Sequence, residues 1–291
     1  MSGMKTDADV LVLQDAAMRL TLAAHLGGAI RELKWHTVDV LRPAPAGASD
    51  DPFEMACFPM VPFVNRIARG CFKFNGQTVR LPPNWSADPH PLHGQGWRAP
   101  WTVTAASACA ATLAFEGGGD EWPWRYRCEQ RFELAHGALA VELSIQNMSS
   151  ALMPAMLGLH PYFPDAARAE LFARLPRVWR TDGAALPLEE TATPAAWRFD
   201  PPRALRSVSL DHCLSGWEGI ADLSWPDRFV TLRATHCRHL HVYAPAGRDF
   251  FCVEPQSAAP GALGRGEATV VSPGERFAIA VCFTPGAPEC T

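Results

Sequence analysis

His160, in the run Gly158-Leu159-His160-Pro161-Tyr162-Phe163, and Glu254, in Phe250-Phe251-Cys252-Val253-Glu254-Pro255, are the residues of this chain best suited to chemistry. One offers an imidazole and the other a carboxylate, each held by proline and apolar neighbours. Glu254 follows an apolar run, so its carboxylate is paired, solvated in a cleft or functional. Pro161 cannot continue a central ladder, which places His160 at a strand end, where a rigid turn aims its ring into a cleft. Together the two groups could accept and return protons as general base and general acid. A hydrogen-bonded core histidine and a rim glutamate are the plainer readings of either residue alone.

Further polar groups sit in apolar or glycine-containing frames. His93 lies in Pro91-Leu92-His93-Gly94, where glycine lets another group approach closely. Arg66, in Val64-Asn65-Arg66-Ile67, carries a planar hydrogen-bonding fork, and Asp211 stands in Leu210-Asp211-His212-Cys213. His90 and His93 have H-x-x-H spacing, and His236, His239 and His241 form a second local group. On a strand, however, His239 and His241 share one face while His236 points elsewhere, and no cysteine or carboxylate pattern completes a ligand set, so no metal is expected. The chain has no G-x-S-x-G elbow, phosphate-cradling glycine loop or G-x-G-x-x-G after a strand. The turn Gly117-Gly118-Gly119-Asp120 is not followed by a helix. Hydride transfer and nucleotide phosphoryl transfer therefore have no support.

The elements that must position these groups are strands. Phe72-Lys73-Phe74, Asn75-Gly76 and Gln77 to Leu81 read as a hairpin, since Asn-Gly suits a turn needing positive φ at both central residues. Tyr126, Cys128, Gln130, Phe132 and Leu134 alternate with charged residues. His136-Gly137 then turns the chain into a second alternating strand through Leu139, Val141, Leu143 and Ile145. Further strands are expected at 29–35, 101–104, 111–115, 230–233, 240–243, 250–253 and 277–283, and a short helix at 171–175. Short strands joined by Gly/Pro-rich turns indicate packed antiparallel sheets, and no fixed-period repeat suggests a propeller or solenoid. Residues 1–291 are expected to form a single all-β domain, with Pro43 to Asp51 only a loop.

Composition narrows the partners. Net charge is -4 and like charges do not cluster, which argues against nucleic acid. The 10 Trp offer faces that either stack on sugar rings or fill a β core. The 9 Cys show no C-x-x-C spacing, and Met1 to Asp9 contains acids and no apolar signal core. No stretch is long enough to span a membrane. Reduced, mostly buried thiols in the cytoplasm fit this pattern, in which case the sequon Asn147-Met148-Ser149 carries no glycan.

Taken in order, these segments resemble the aldose 1-epimerase (mutarotase) family over nearly the whole chain. The resemblance runs through Asn65-Arg66, the Gly70…Phe74-Asn75-Gly76 hairpin, Leu81-Pro82-Pro83-Asn84, Leu92-His93-Gly94 and Trp122-Pro123-Trp124. It continues through Asn147, His160-Pro161-Tyr162-Phe163, Asp211 and Val253-Glu254-Pro255. It implies a large antiparallel β-sandwich, the galactose mutarotase-like supersandwich, with few short helices and an open cleft for a monosaccharide. It further implies Glu254 as base, His160 as acid, His93 assisting at the ring oxygen, and Arg66 and Asp211, beside Asn65, holding sugar hydroxyls. Many relatives carry a second glycine where this chain has Gln95, a side chain expected to narrow the cleft or add a hydroxyl contact.

The implied reaction opens a hemiacetal and closes it on the other face, so neither redox cofactor nor metal is required. A nearby carboxylate should favour a charged imidazole, giving an expected active state of ionised Glu254 and protonated His160, with a Trp or Phe163 against the sugar. Rival readings are a hexose 6-phosphate epimerase, which would gather arginines such as Arg66, Arg69 and Arg98, a binding protein without turnover, and a glycosidase using Asp211 and Glu254. A monomer or homodimer without nucleic-acid or membrane partners is expected.

Overall fold

The computed structural model describes residues 10–47 and 51–288. The Met1 to Asp9 segment and residues 48–50 of the Pro43 to Asp51 loop lie outside them. Among the described residues the strands form an 11-stranded and a 9-stranded sheet with antiparallel ladders, and two small two-stranded sheets. No helix there is long and apolar enough to cross a membrane. Asn75 and Gly76 both have positive φ, as the hairpin between Cys71–Phe74 and Gln77–Arg80 requires. Tyr126–Ala135 and Ala138–Asn147 pair in full register through the His136-Gly137 turn. Asn147 is fully buried and its amide donates to the Ala151 and Val271 carbonyls, so this side chain is a structural brace.

The centre of the larger sheet runs, in spatial order, Cys57–Met60, Gly158–Pro164, Phe250–Gln256, His239–Ala244 and Leu210–Ser215. Side chains alternate across a strand, and the register sets Tyr162 opposite Cys252, His241 opposite Glu254 and Asp211 opposite Tyr243. Phe58, His160, Glu254, His241 and Asp211 therefore share one face. The intervening Phe163, Phe251, Val253, Leu240 and Val242 are buried on the other. There Phe163 meets Phe283, and Phe251 meets Trp225, joining the sheet to its nine-stranded partner through one apolar core.

Three sequence expectations are corrected. Leu171–Leu175 does not hold a helix: Glu170–Ala173 is a strand between Phe199–Ala204 and Ile220–Trp225, and the α-helix in the described residues is Ala262–Arg265. Leu171 and Ala173 are buried while Glu170 is exposed, a period of two too short to recognise as such. Phe163 faces the core, as its odd position beside His160 dictates, and cannot pack against a ligand in the cleft. His160 and Glu254 sit within central strands rather than at strand ends. Pairing between their strands lapses from Leu159 to Pro161 and resumes at Tyr162. In that register Pro161 and Pro255 flank the His160–Glu254 rung, and each lacks the N–H a continuous ladder would need.

The loop 61–96 packs over this face and depends on a glycine. Gly94 has φ +78°, and a Cβ there would lie 2.2 Å from the Val61 carbonyl oxygen. That oxygen accepts the Gln95 and Gly96 N–H groups, while Val61 N–H donates to the His93 carbonyl. Gly94→Ala should therefore cost ~2–4 kcal/mol, read as a lower urea midpoint at unchanged m-value.

Candidate active site

A cavity of about 490 Å³ opens over the shared face of the central strands. Its lining includes Asn65, Arg66, His93, His160, Asp211 and Glu254, so the structure brings together every site residue expected from sequence. At its floor His160 Nε2 and Glu254 Oε1 lie 3.3 Å apart. Both are nearly buried, with 7% and 2% of their surface exposed. His160 rests against the rings of Phe58 and Tyr162, and Gln256 Nε2 donates to the second Glu254 oxygen at 3.2 Å.

Burial decides the charges. It pushes the Glu254 carboxyl up to about 7, against the pull of the His241 cation. It pushes the His160 imidazole down to about 3, reinforced by repulsion from His241. The pair of ionised Glu254 and protonated His160, expected for the active state, is not the resting form, because desolvation dominates at both groups. Between those two values the pair holds one proton, resting on the carboxyl.

His241 is the site residue that sequence reasoning missed. Its Nε2 lies 2.8 Å from Asp211 Oδ1, and its Nδ1 is buried without a partner. Although burial opposes charge, attraction to Glu254 and the hydrogen bond to Asp211 hold its pKa well above the ordinary histidine value. Reciprocally, the bond to His241 and its charge overcome desolvation and keep the half-exposed Asp211 low. The other histidines of the presumed cluster go elsewhere: His239 meets Ser215 Oγ and His236 the Ala278 carbonyl. Cross-strand register was the missing signal, since Asp211 and His241 are 30 residues apart.

The cavity roof comes from the loop 61–96. Asn65 N–H donates to His93 Nδ1 at 3.2 Å, so the neutral His93 carries its proton on Nε2. Its pKa lies well below the ordinary value through burial, with repulsion from His160 and Arg66 adding to it. Asp88 Oδ2 accepts from Arg66 Nε at 2.6 Å, which fixes the fork while leaving the terminal nitrogens uncommitted. His90 does not converge with His93; its Nδ1 accepts the Arg69 N–H. Asn84 clamps the loop by donating to the Leu92 and Gly94 carbonyls and accepting the Leu92 N–H.

Other expectations about the lining are revised. Gln95 turns away from the cavity, bonding Gly118 through both ends of its amide and accepting from the Tyr126 hydroxyl. The aromatic walls are Phe53, Trp85, Tyr162, Tyr243 and Phe250. Arg69 does not line it, and Arg98 is engaged with Glu121 at 2.6 Å. Arg42 and Arg248 stand with Arg66 instead. Arg42 donates to the Phe53 and Met55 carbonyls, with its guanidinium 4.1 Å above the Tyr162 ring.

His160, Cys252 and Glu254 have potential ligand atoms within 4.8 Å of one another. Burial drives the Cys252 thiol well above its usual pKa, with repulsion from Glu254 adding to it.

Residues 9–283 match the family model described as aldose 1-epimerase. The uncharacterised protein YphB of Escherichia coli (strain K12) is 30% identical over 281 residues, covering 91% of this chain and 95% of YphB. A crystal structure of an Escherichia coli K12 protein, 27% identical, superposes with a TM-score of 0.90 over 96% of this chain and 99% of its own. The galactose 1-epimerase of Lactobacillus acidophilus NCFM is 16% identical and has a TM-score of 0.83, over 99% and 98% of the two chains; at that identity the likeness is one of fold.

Asn84→Ala removes all three clamps and should cost about 2–3 kcal/mol. The expected outcome is a lower melting temperature and loosened His93, checked by hydrogen exchange at Leu92, whose N–H loses its acceptor.

Proposed function

This chain belongs to the aldose 1-epimerase family, and we propose that it is an isomerase interconverting the α and β anomers of a free aldose such as galactose or glucose. The observation that carries this reading is the facing pair His160 Nε2 and Glu254 Oε1, 3.3 Å apart at the floor of the cavity. Around them stand donors and acceptors suited to neutral hydroxyls: the Arg66 fork, the Asp211 carboxylate and the His93 Nε2–H.

In the proposed cycle Glu254 takes the proton from the anomeric hydroxyl. As O1 becomes a carbonyl oxygen, the bond from C1 to the ring oxygen breaks and His160 protonates that oxygen. Rotation about C1–C2 presents the other carbonyl face, and the same steps in reverse close the ring. No atom is gained or lost, and the proton count of the pair is the same at start and finish. The His93 Nε2–H supports the ring oxygen as charge develops. The pair enters with one proton, and seating the sugar moves it to the imidazole: the carboxylate gains the anomeric hydroxyl as donor, and the imidazolium gains the ring oxygen as acceptor. Aromatic faces such as Trp85 flank the ring's C–H surface.

A second reading, a hexose 6-phosphate, is favoured by one observation. The exposed Arg248 lines the edge of the cavity; its backbone N–H donates to the Pro245 carbonyl, and its guanidinium could meet a phosphate.

Polarimetry on freshly dissolved α-D-galactose and α-D-glucose tests the main reading. Wild type should speed the approach to anomeric equilibrium, and Glu254→Gln and His160→Asn should each lower kcat by about 10²- to 10⁴-fold. Activity retained by Glu254→Gln would overturn the assignment. Activity confined to the 6-phosphates and lost in Arg248→Ala would establish the second reading.

The pH dependence follows from the one-proton requirement. The plot of kcat/KM, which reports free-enzyme groups, should fall above about 7 as the pair loses its proton. It should also fall toward about 3, where a second proton is added to His160. A rate still rising between pH 7 and 9 would contradict this.

A further inference from the structure

Glu254 is surrounded by groups whose charges can be assigned one by one. From its own strand come Cys252, held as a thiol, and the neutral Gln256. From the adjoining strand come His160, and Tyr162 raised as a phenol by burial. Cys57 on the strand beyond is likewise a buried thiol pushed up by desolvation, and His93 above is neutral. The strand on the other side brings His241 directly opposite Glu254, with Tyr243 two residues on. Beyond it lie Asp211 and the buried Cys213 thiol. Arg42 and Arg66 carry charge too, but each is tied away from the carboxylate, to two carbonyls and to Asp88 respectively.

We propose that His241 is the positioning residue of this site: an imidazolium clamped by Asp211, whose fixed positive charge beside Glu254 controls how the Glu254–His160 pair holds its proton. The geometry is specific. The ladder places His241 opposite Glu254, the 2.8 Å contact to Asp211 fixes one ring nitrogen, and the other nitrogen is buried without a partner at the cavity wall. A neutral side chain of similar reach would preserve a hydrogen bond to Asp211 but supply no charge. His241 does not exchange a proton with substrate; it acts through its neighbours. This inference rests on the proposed anomer interconversion for its kinetic readout, but not for its spectroscopic one.

The sign follows from Coulomb's law. A positive charge favours the ionised form of Glu254 and disfavours a second proton on His160, so its removal raises both titrations. In His241→Gln, both limbs of kcat/KM against pH should move upward by about one unit or more, while His241→Asn, with a shorter side chain, should shift them likewise. A merely structural role would change KM or stability and leave the limbs in place. Two NMR readouts do not need turnover. In wild type both ring nitrogens of ¹⁵N-labelled His241 should be protonated at pH 7, and the His160 titration should move upward in folded His241→Gln. Limbs and His160 titration unmoved in folded variants, or a neutral His241 at pH 7, would overturn the proposal. If wild type accelerates no anomer exchange on any sugar tried, the proposed function fails; the His241 charge and the His160 shift still decide this inference.

Discussion

A carboxylate with 2% of its surface exposed is the constraint around which the cleft is arranged. Removing a charge from water costs several kcal/mol even after relaxation, and Glu254 responds by titrating near neutrality instead of near the usual glutamate value. The nearest imidazole, His160, does not relieve the cost, because it is buried as well and would have to charge in the same dry pocket. Relief comes from the other side, through His241, whose own charge Asp211 supports from a position half open to solvent. Charge is thus passed along a rung from solvent to interior: Asp211 steadies His241, and His241 steadies Glu254. Deleting His241 would leave Glu254 buried beside no positive charge from that side.

The backbone around that rung is unusual for the centre of a sheet. Pro161 and Pro255 occupy adjoining strands on either side of His160 and Glu254, where two further N–H donors would otherwise knit the ladder. The interruption is tolerated because each strand is secured on its other side. Gly158–Pro161 pair with Cys57–Met60, and the Glu254 strand pairs with the His241 strand from Cys252 to Gln256. Rigid strands therefore carry His160 and Glu254, while His93, Asn65 and Arg66 come from a loop. That loop is held by Asn84, Asp88 and the close approach of Gly94 to Val61, with Asn65 and His93 in left-handed backbone conformations.

Much of this was legible in the sequence where a residue's role follows from local pattern. The hairpin at Asn75-Gly76 and the ten-residue pair Tyr126–Ala135 and Ala138–Asn147 announce themselves by turn chemistry and alternation. The edge strand Thr102–Ala106 was anticipated at 101–104, but two others were not. Pro187–Ala192 closes one sheet and Phe199–Ala204 the other, and both are polar, proline-bearing and largely exposed, the composition that keeps edges from pairing further. His160 and Glu254 stood out because each interrupts an apolar run beside proline. His241 did not, for its meaning lies in Asp211 and Glu254, which strand register alone brings to it; local spacing grouped it with His236 and His239, whose partners lie elsewhere. The resting protonation of His160 was not legible for a related reason: sequence shows a carboxylate that could attract a proton, but not the depth of burial that opposes it.

For the proposed reaction, this distribution of parts has a physical logic. Opening and closing a hemiacetal displaces one proton at each of two oxygens and leaves the sugar neutral at both ends, so no large ground-state charge has to be matched. What matters is a fixed field during the brief separation of charge, and preorganised groups supply it without reorganising at the moment of reaction. The locked Asp211–His241 pair and the loop-clamped Arg66 provide that field from positions that need not move. Proton exchange with the sugar falls to Glu254 and His160, two residues already 3.3 Å apart. The principal motion left is rotation about one bond of the opened sugar, which a cavity of about 490 Å³ accommodates while its walls stay fixed. A stiff sheet, rather than a closing lid, is then the appropriate scaffold for this chemistry.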